Sequence, residues 1–329
     1  MANLETTYMG LRLKNPLIAA SSGLTNSVGK IMEMESSGIA GVVLKSIFEE
    51  QILNEVGQMI AGGQSGMEYP EAIDYMNTYL RENSISQHLT LLKETKAAVN
   101  IPVIASINCI SLNEWTTFAK DFEEAGADAI ELNVFYLPAN RNTQSGEIEQ
   151  IYLDILEKIK KEVKIPVAIK IGMYFTSIVA MAEKLKASGA DAVVLFNRFY
   201  EPDINLKALK IVASEVFSSP ADLRRSLRWV GLVSSSVPNL EIAASTGIHN
   251  GDAVIKELLA GAQVAQLCST IYQNGPGVIS QILKDIKSFM YKWNFKNIDD
   301  FRGRLSYKNI PDPMLYERSQ FMKYFSGND

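Results

Sequence analysis

The chain predicts an α/β fold, a (β/α)8 TIM barrel, and three observations carry that prediction. First, four segments share one pattern: 37-SGIAGVVLKS-46, 125-AGADAIELNV-134, 188-SGADAVVLFN-197 and 260-AGAQVAQLCS-269. Each runs from a small residue and Gly into an apolar stretch with a polar end. The Gly suits the left-handed position that ends a helix. The apolar run suits a parallel strand covered on both faces, and the polar end suits that strand's carboxyl mouth. Second, 101-IPVIASIN-108 and 165-IPVAIKIG-172 both open on Pro, which the first position of a strand tolerates. Third, helical patterns separate most of the apolar runs, as in 114-EWTTFAKDFEEAG-126, 148-IEQIYLDILEKIKKEV-163, 176-TSIVAMAEKLKASG-189 and 250-NGDAVIKELLAG-261.

In chain order, 4-LETTYMGLRL-13 alternates around Gly10 and reads as a hairpin that plugs the barrel's base. Strand one is 16-PLIAAS-21, and strands two to six follow in the segments just quoted. Strand seven is 240-LEIAASTG-247 and strand eight lies within 260–269. The stretch 47–100 is long for one strand–helix unit, so 60-IAGGQSGMEYPE-71 reads as an active-site loop. The barrel is expected over residues 1–310, with no second domain. After 311-PDP-313 the tail, residues 311–329, leaves the barrel pattern, and its aromatics and Met are expected to dock on the barrel or a neighbouring subunit. An open doubly wound sheet is the alternative, but the G-x-G-x-x-G turn it would carry after an early strand is absent.

Composition excludes several function classes. The 329 residues are 47% hydrophobic, with a net charge of −5 and no long basic run, which disfavours nucleic acid. No window approaches the roughly 18 apolar residues of a membrane span, and the N-terminus has no signal shape. A soluble cytoplasmic protein is the expectation. Cys109 and Cys268 are too few for an iron–sulfur cluster, which takes about four thiolates. His88 and His249 are the only histidines, so no metal site is expected.

In such a barrel the chemistry sits at the carboxyl ends of the strands. Strand one brings Ala20, Ser21, Ser22 and Gly23 there; strands two and three bring Lys45, Ser46, Ser106 and Asn108. Strands four to six bring Asn133, Phe135, Tyr136, Lys170 and Asn197. Strands seven and eight bring Ser245, Thr246, Gly247, Cys268, Ser269 and Thr270. Lys45 and Lys170 interrupt apolar strands, and a buried lysine is costly without an anionic partner. They read as two ammoniums aimed at a ligand that carries or gains negative charge, or as part of an ion pair with Glu131. The STG and CST ends read as a phosphate cup, served by the helix that starts at 249-HNGD-252, or as ordinary turns. Asn133 and Asn197 both donate and accept, which suits the edge of a planar heterocycle; strand-end caps are the alternative. Cys268 reads as a small apolar-site filler rather than a nucleophile, and no base is evident to activate Cys109.

These residues resemble the FMN-dependent dihydroorotate dehydrogenase family and the related flavin domain of dihydropyrimidine dehydrogenase. The likeness runs from about residue 4 to 307 and rests on 15-NPLIAASSG-23, 43-VLKS-46, 118-FAKDFEEAGADAIELNV-134, 166-PVAIKIG-172, 245-STGIHNGDAVIKELLAGAQVAQLCSTI-271 and 301-FRGRLS-306. The resemblance implies FMN as cofactor. It implies that Ala20 and Ser21 lie against the flavin, with Lys45, Ser46 and Asn108 beside them. Asn133 holds the flavin or substrate edge, Lys170 faces the flavin N1 region, and Asn197 binds substrate. Thr246, Gly247, Cys268 and Ser269 match the phosphate site. It also implies a homodimer.

The chain departs from the family at strand four. The family reads Asn-Leu-Ser-Cys-Pro-Asn there, with the Cys as acid–base group; this chain reads 133-NVFYLPAN-140. Tyr136 stands in the Cys position. A phenol is protonated at neutral pH and suits a proton donor, so Tyr136 and Lys45 are the catalytic candidates; Phe135 and Tyr136 as packing groups that narrow or close the pocket are the alternative. A glycine-rich turn after strand six is replaced by 217-FSSPADL-223. The leading expectation is an oxidoreductase acting on a small cyclic amide, dihydroorotate or a relative. A flavin-binding paralogue without that chemistry, serving electron transfer or as a scaffold, is the second. A tRNA dihydrouridine synthase and a non-flavin phosphate-binding barrel are more remote. With no membrane-docking N-terminal helix and no cluster cysteines, the acceptor is expected to be a small soluble molecule such as fumarate, or a separate electron-transfer partner.

Overall fold

The structure is a computed structural model that describes residues 2–48, 70–108, 112–137, 139–198 and 201–317, without the side chains of 70–82 and 112–113. The loop expected at 60–71, Cys109 and the tail beyond 317 therefore fall wholly or mainly outside the described residues.

The chain opens with the expected hairpin, β1 (Thr6–Tyr8) and β2 (Leu11–Leu13). Met9 and Gly10 both take positive φ, 52° and 73°, which makes the primed turn that matches strand twist. Tyr8, Met9 and Leu13 bury their side chains against the inner base of the barrel. That layer is built from small residues, among them Ala129, Ala168, Ala192 and Ala243. Small residues leave the volume that the three large hairpin side chains fill, so the base is packed rather than open.

The barrel strands are β3 (Leu17–Ala19), β4 (Gly41–Val43), its continuation β5 (Ile47–Phe48), β6 (Val103–Asn108), β7 (Ala129–Asn133), β8 (Val167–Ile171), β9 (Ala192–Leu195), β12 (Glu241–Ser245) and β13 (Val264–Leu267). All pair in parallel, and the β4–β6 pairing closes the sheet on itself. Helices follow in the intervals: α1 (Val28–Ser36), α2 (Pro70–Ala98), α3 (Leu112–Glu124), α4 (Ser145–Glu162), α5 (Ile178–Ala187), α6 (Leu223–Ser236), α7 (Gly251–Ala260), α8 (Ser269–Asn274) and α9 (Gly277–Trp293). The four repeated glycines do what the pattern required: Gly38, Gly126, Gly189 and Gly261 all sit at φ between 94° and 118°.

The polar residue in three of those repeats has a structural task. Asp128 accepts the N–H of Val103 at 2.7 Å, Asp191 that of Val167 at 2.8 Å, and Gln263 that of Ile242 at 2.6 Å. Each satisfies a donor at the start of the neighbouring strand. Lys96 and Lys160 in turn neutralise the two aspartates.

Strand two is not continuous, as the sequence pattern suggested, but broken. Val43 is level with Ile104 and Ile47 with Ile107, so this strand has one residue more than its neighbour over the interval. Leu44–Ser46 take up the excess as a bulge, a device that re-aims side chains. Lys45 N–H turns to the carbonyl of Thr25 at 3.2 Å, and Ser46 N–H to Ser21 Oγ at 3.0 Å.

An antiparallel hairpin, β10 (Pro202–Asn205) and β11 (Lys210–Ala213), follows strand six and was not expected. It stands clear of the barrel with Ile204, Leu206, Leu209 and Ile211 exposed. The described part of the tail ends in α10 (Met314–Glu317). The Tyr316 ring lies over Gly231 of α6, where a Cβ would meet it at 2.3 Å.

Candidate active site

A cavity of about 530 Å³ opens at the carboxyl mouth of the barrel, within the usual range for a small-molecule site. Its lining includes Ala20, Ser21, Lys45, Ser46, Asn133, Lys170, Asn197, Thr246, Gly247, Cys268 and Ser269. Asn108 and Tyr136 are not among the described residues that line it. Asn108 stands level with Phe48, its partner across the β5–β6 pair, and it is Phe48 that reaches the cavity. Tyr136 is 38% exposed, on the loop after β7.

The floor is a charged triad. Lys170 on β8 is 7% exposed, and its Nζ lies 3.0 Å from Gln266 Oε1 and 3.5 Å from Glu131 Oε1. Gln266 Nε2 donates to the other Glu131 oxygen. Lys170 is thus ion-paired with Glu131 inside the barrel, as one of its two readings expects, and it also lines the cavity. An ammonium has three N–H donors, so two are engaged below and one remains for the cavity. Beside it runs a chain of hydroxyls: Ser21 Oγ is 3.0 Å from Ser46 Oγ, and Ser46 Oγ is 2.6 Å from Ser106 Oγ. The bulge in strand two places Ser46 in this chain.

Asn133 and Asn197 meet on one wall. Asn197 Nδ2 donates to Asn133 Oδ1 at 2.7 Å, and Asn197 N–H bonds the carbonyl of Ile171 at 2.8 Å. The Asn133 amide hydrogens and the Asn197 carbonyl remain for a ligand.

At the opposite end, Thr246 and Gly247 take successive positive φ values of 81° and 77°. A Cβ on Gly247 would come within 2.1 Å of the Leu223 backbone nitrogen, so only glycine fits. Thr246 Oγ1 donates to the Phe196 carbonyl at 3.1 Å, which fixes the turn. Ser269 Oγ receives the N–H of Ser218 at 3.0 Å and its hydroxyl at 3.1 Å. Burial pushes the Cys268 thiol upward, against smaller opposing effects of Ser22 and Lys170; this thiol stays protonated and is a poor nucleophile.

Sequence reasoning missed Gln266, Arg198, Phe217, Ser218 and Tyr272, all of which line the cavity. Gln266 was findable, because it interrupts the apolar run of strand eight as Lys170 interrupts strand five. Phe217 and Tyr272 pack with ring centroids 5.3 Å apart and planes tilted by 37°, a pairing that no local pattern announces. His88 was also overlooked as a neighbour of the site. It faces the Ser46 carbonyl, and burial lowers its pKa, as Lys45 does to a lesser degree.

Comparison with known proteins agrees with this geometry. The sequence model for dihydroorotate dehydrogenase matches residues 3–290. A dihydroorotate dehydrogenase B (NAD(+)), catalytic subunit, from Thermoplasma volcanium is 27% identical over 92% of this chain and 98% of its own length. Proteins of the same description from Thermoplasma acidophilum and Methanothermobacter thermautotrophicus are 25% and 26% identical, over 92% and 91% of this chain and 99% and 97% of their own. A match that spans barrel, base hairpin and cavity alike leaves one conclusion: the chain belongs to the dihydroorotate dehydrogenase family, oxidoreductases that act on a CH–CH bond.

Proposed function

We propose that this chain is an FMN-dependent oxidoreductase that moves hydride between bound flavin and a small cyclic amide, dihydroorotate or a relative. The observation that carries the reading is a single cavity with a buried ammonium at its floor, a bonded amide pair on one wall and a glycine turn at its end. The donor set fits FMN. Thr246, Gly247, Cys268 and Ser269 would hold the phosphate, largely through backbone N–H groups. Lys170, Ser21 and Ser46 would meet the polar edge of the ring, and Ala20 leaves room beside its face. When bound, FMN supplies a two-electron hydride acceptor.

The chain's own residues supply the rest. Gln266 and Glu131 hold the Lys170 ammonium at a fixed point, and a fixed cation stabilises developing anionic charge without reorganisation. Asn133 offers donors and Asn197 an acceptor to the alternating edge of a cyclic amide. Lys45, aimed into the mouth by the bulge, is the second cation at the ligand. Tyr136 is the proposed proton donor, acting from the loop above the cavity. The relatives are catalytic subunits by description, which supports a separate electron-accepting subunit for this chain. We also propose a homodimer, for which a monomer by light scattering would be the contrary result, and a cytoplasmic location. No helix among the described residues is long and apolar enough to cross a membrane.

The test is the visible spectrum of the anaerobic protein before and after dihydroorotate. A flavin band that bleaches supports the proposal. A band that persists supports a second reading, a flavin-binding paralogue without this turnover, which is favoured by the position of Tyr136 outside the described lining. No band after FMN is supplied removes the cofactor.

A further inference from the structure

His249 lies one hydroxyl away from the glycine-turn end of the cavity. Its Nε2 is 3.2 Å from Ser218 Oγ, and Ser218 Oγ is 3.1 Å from Ser269 Oγ. Ser218 and Ser269 line the cavity; His249 does not. The His249 backbone is fixed as well, because Thr270 Oγ1 donates to the His249 carbonyl at 3.0 Å. A serine hydroxyl has one proton and two lone pairs. When the neutral imidazole carries its proton on Nδ1, Nε2 accepts from Ser218 and the Ser218 proton points away from the cavity. With the proton on Nε2 the ring donates and the Ser218 hydroxyl donates to Ser269 Oγ, and full protonation removes the accepting tautomer. When the imidazole is protonated it donates to Ser218 Oγ, and the Ser218 proton is free to turn toward an anion beside Ser269.

We propose that His249 is a positioning residue for the phosphate end of the site, acting through Ser218 to tighten the binding of a phosphate-bearing ligand as pH falls. The inference rests on the FMN reading, in which Thr246, Gly247, Cys268 and Ser269 hold the phosphate. The charged groups around the imidazole are few. Burial acts most strongly against the protonated form, while a hydrogen bond to the Ser218 backbone and, more weakly, Asp222 in the turn before α6 favour it. Asp252 lies in the first turn of α7, and Asp285 of α9 packs on Gly251. An anion at Ser269 adds the charge that favours protonation, and by linkage protonation favours the anion.

The experiment is equilibrium binding of FMN and of riboflavin, followed by flavin fluorescence from pH 6 to pH 8, for the parent protein, His249→Gln and Ser218→Ala. Riboflavin lacks the phosphate and reports the ring end alone. The second ionisation of the phosphate, near pH 6, affects all three proteins alike. Going from pH 8 to pH 6, the parent's preference for FMN over riboflavin should rise about three- to tenfold relative to both variants. Gln keeps a hydrogen bond to Ser218 but does not titrate, so a purely structural role would leave its pH profile like the parent's. Parallel profiles in parent and variants, with FMN still bound, overturn the role of His249 and leave the cofactor reading intact. Failure of the parent to bind either flavin overturns the cofactor reading, and this inference with it.

Discussion

Replacing Glu257 with Gln should make the protein more stable at pH 8 and change it little near pH 5. Glu257 lies fully buried on α7, with one carboxyl oxygen 2.7 Å from Ser226 Oγ and the other without a partner. Burial raises its pKa from 4.5 to about 8, against a smaller opposing effect of the Ser226 bond. The folded state therefore binds a proton that the unfolded chain releases between pH 4.5 and 8. Where the folded state holds more protons, stability falls as pH rises. Below pH 4.5 both states are protonated and the group costs nothing; above pH 8 the full cost is present. At about 1.4 kcal/mol per pH unit, the full cost is roughly 5 kcal/mol, of which roughly 3 is present at pH 7. Gln keeps the shape and does not titrate. Urea denaturation of parent and variant from pH 5 to pH 8.5 reads the difference, and other titrating groups cancel in it. The variant's advantage should grow by several kcal/mol across the range, with the sign favouring Gln at high pH. A difference that stays flat with pH would refute the reasoning, since it would mean that Glu257 ionises as freely in the folded protein as in the unfolded one.

Other substitutions test the site. Gly247→Ala puts a Cβ against the Leu223 backbone at positive φ; a loss of roughly 3 kcal/mol or more is expected in the same assay, and parent-like stability would show that the turn relaxes. Lys170→Met leaves Glu131 buried without its cation, which should cost about 3–5 kcal/mol; adding Glu131→Gln should recover most of that, and a harmless single variant would disprove the triad. Tyr136→Phe should slow flavin bleaching by roughly 10²-fold or more if the phenol is the proton donor; unchanged turnover removes that role.

Local rules made much of the architecture legible. A glycine that ends a helix and an apolar run that must be covered on both faces are short-range demands, and each repeat satisfies them within about ten residues. The site was legible as a list, because polar residues at the ends of buried strands have few places to go but the mouth. It was not legible as geometry. Nothing local to VVLKS shows that the strand carries one extra residue against its neighbour, because register exists only between strands. Tyr136 was assigned by its position in a motif, and the loop conformation after β7 places it on the exposed side.

The sequence by itself determined the barrel, the base hairpin, and the buried cation, amides and glycine turn at one end of the strands. These follow from periodicity, from backbone freedom and from the cost of burying charge, all of which act on the residue where they are read. The tertiary structure decided how they combine. Closure brought Gln266 of the last strand to Lys170 of the fifth, and the crossing of two distant loops set Ser218 between His249 and Ser269. Such contacts depend on the three-dimensional path of the chain between elements, which packing fixes and no single segment encodes.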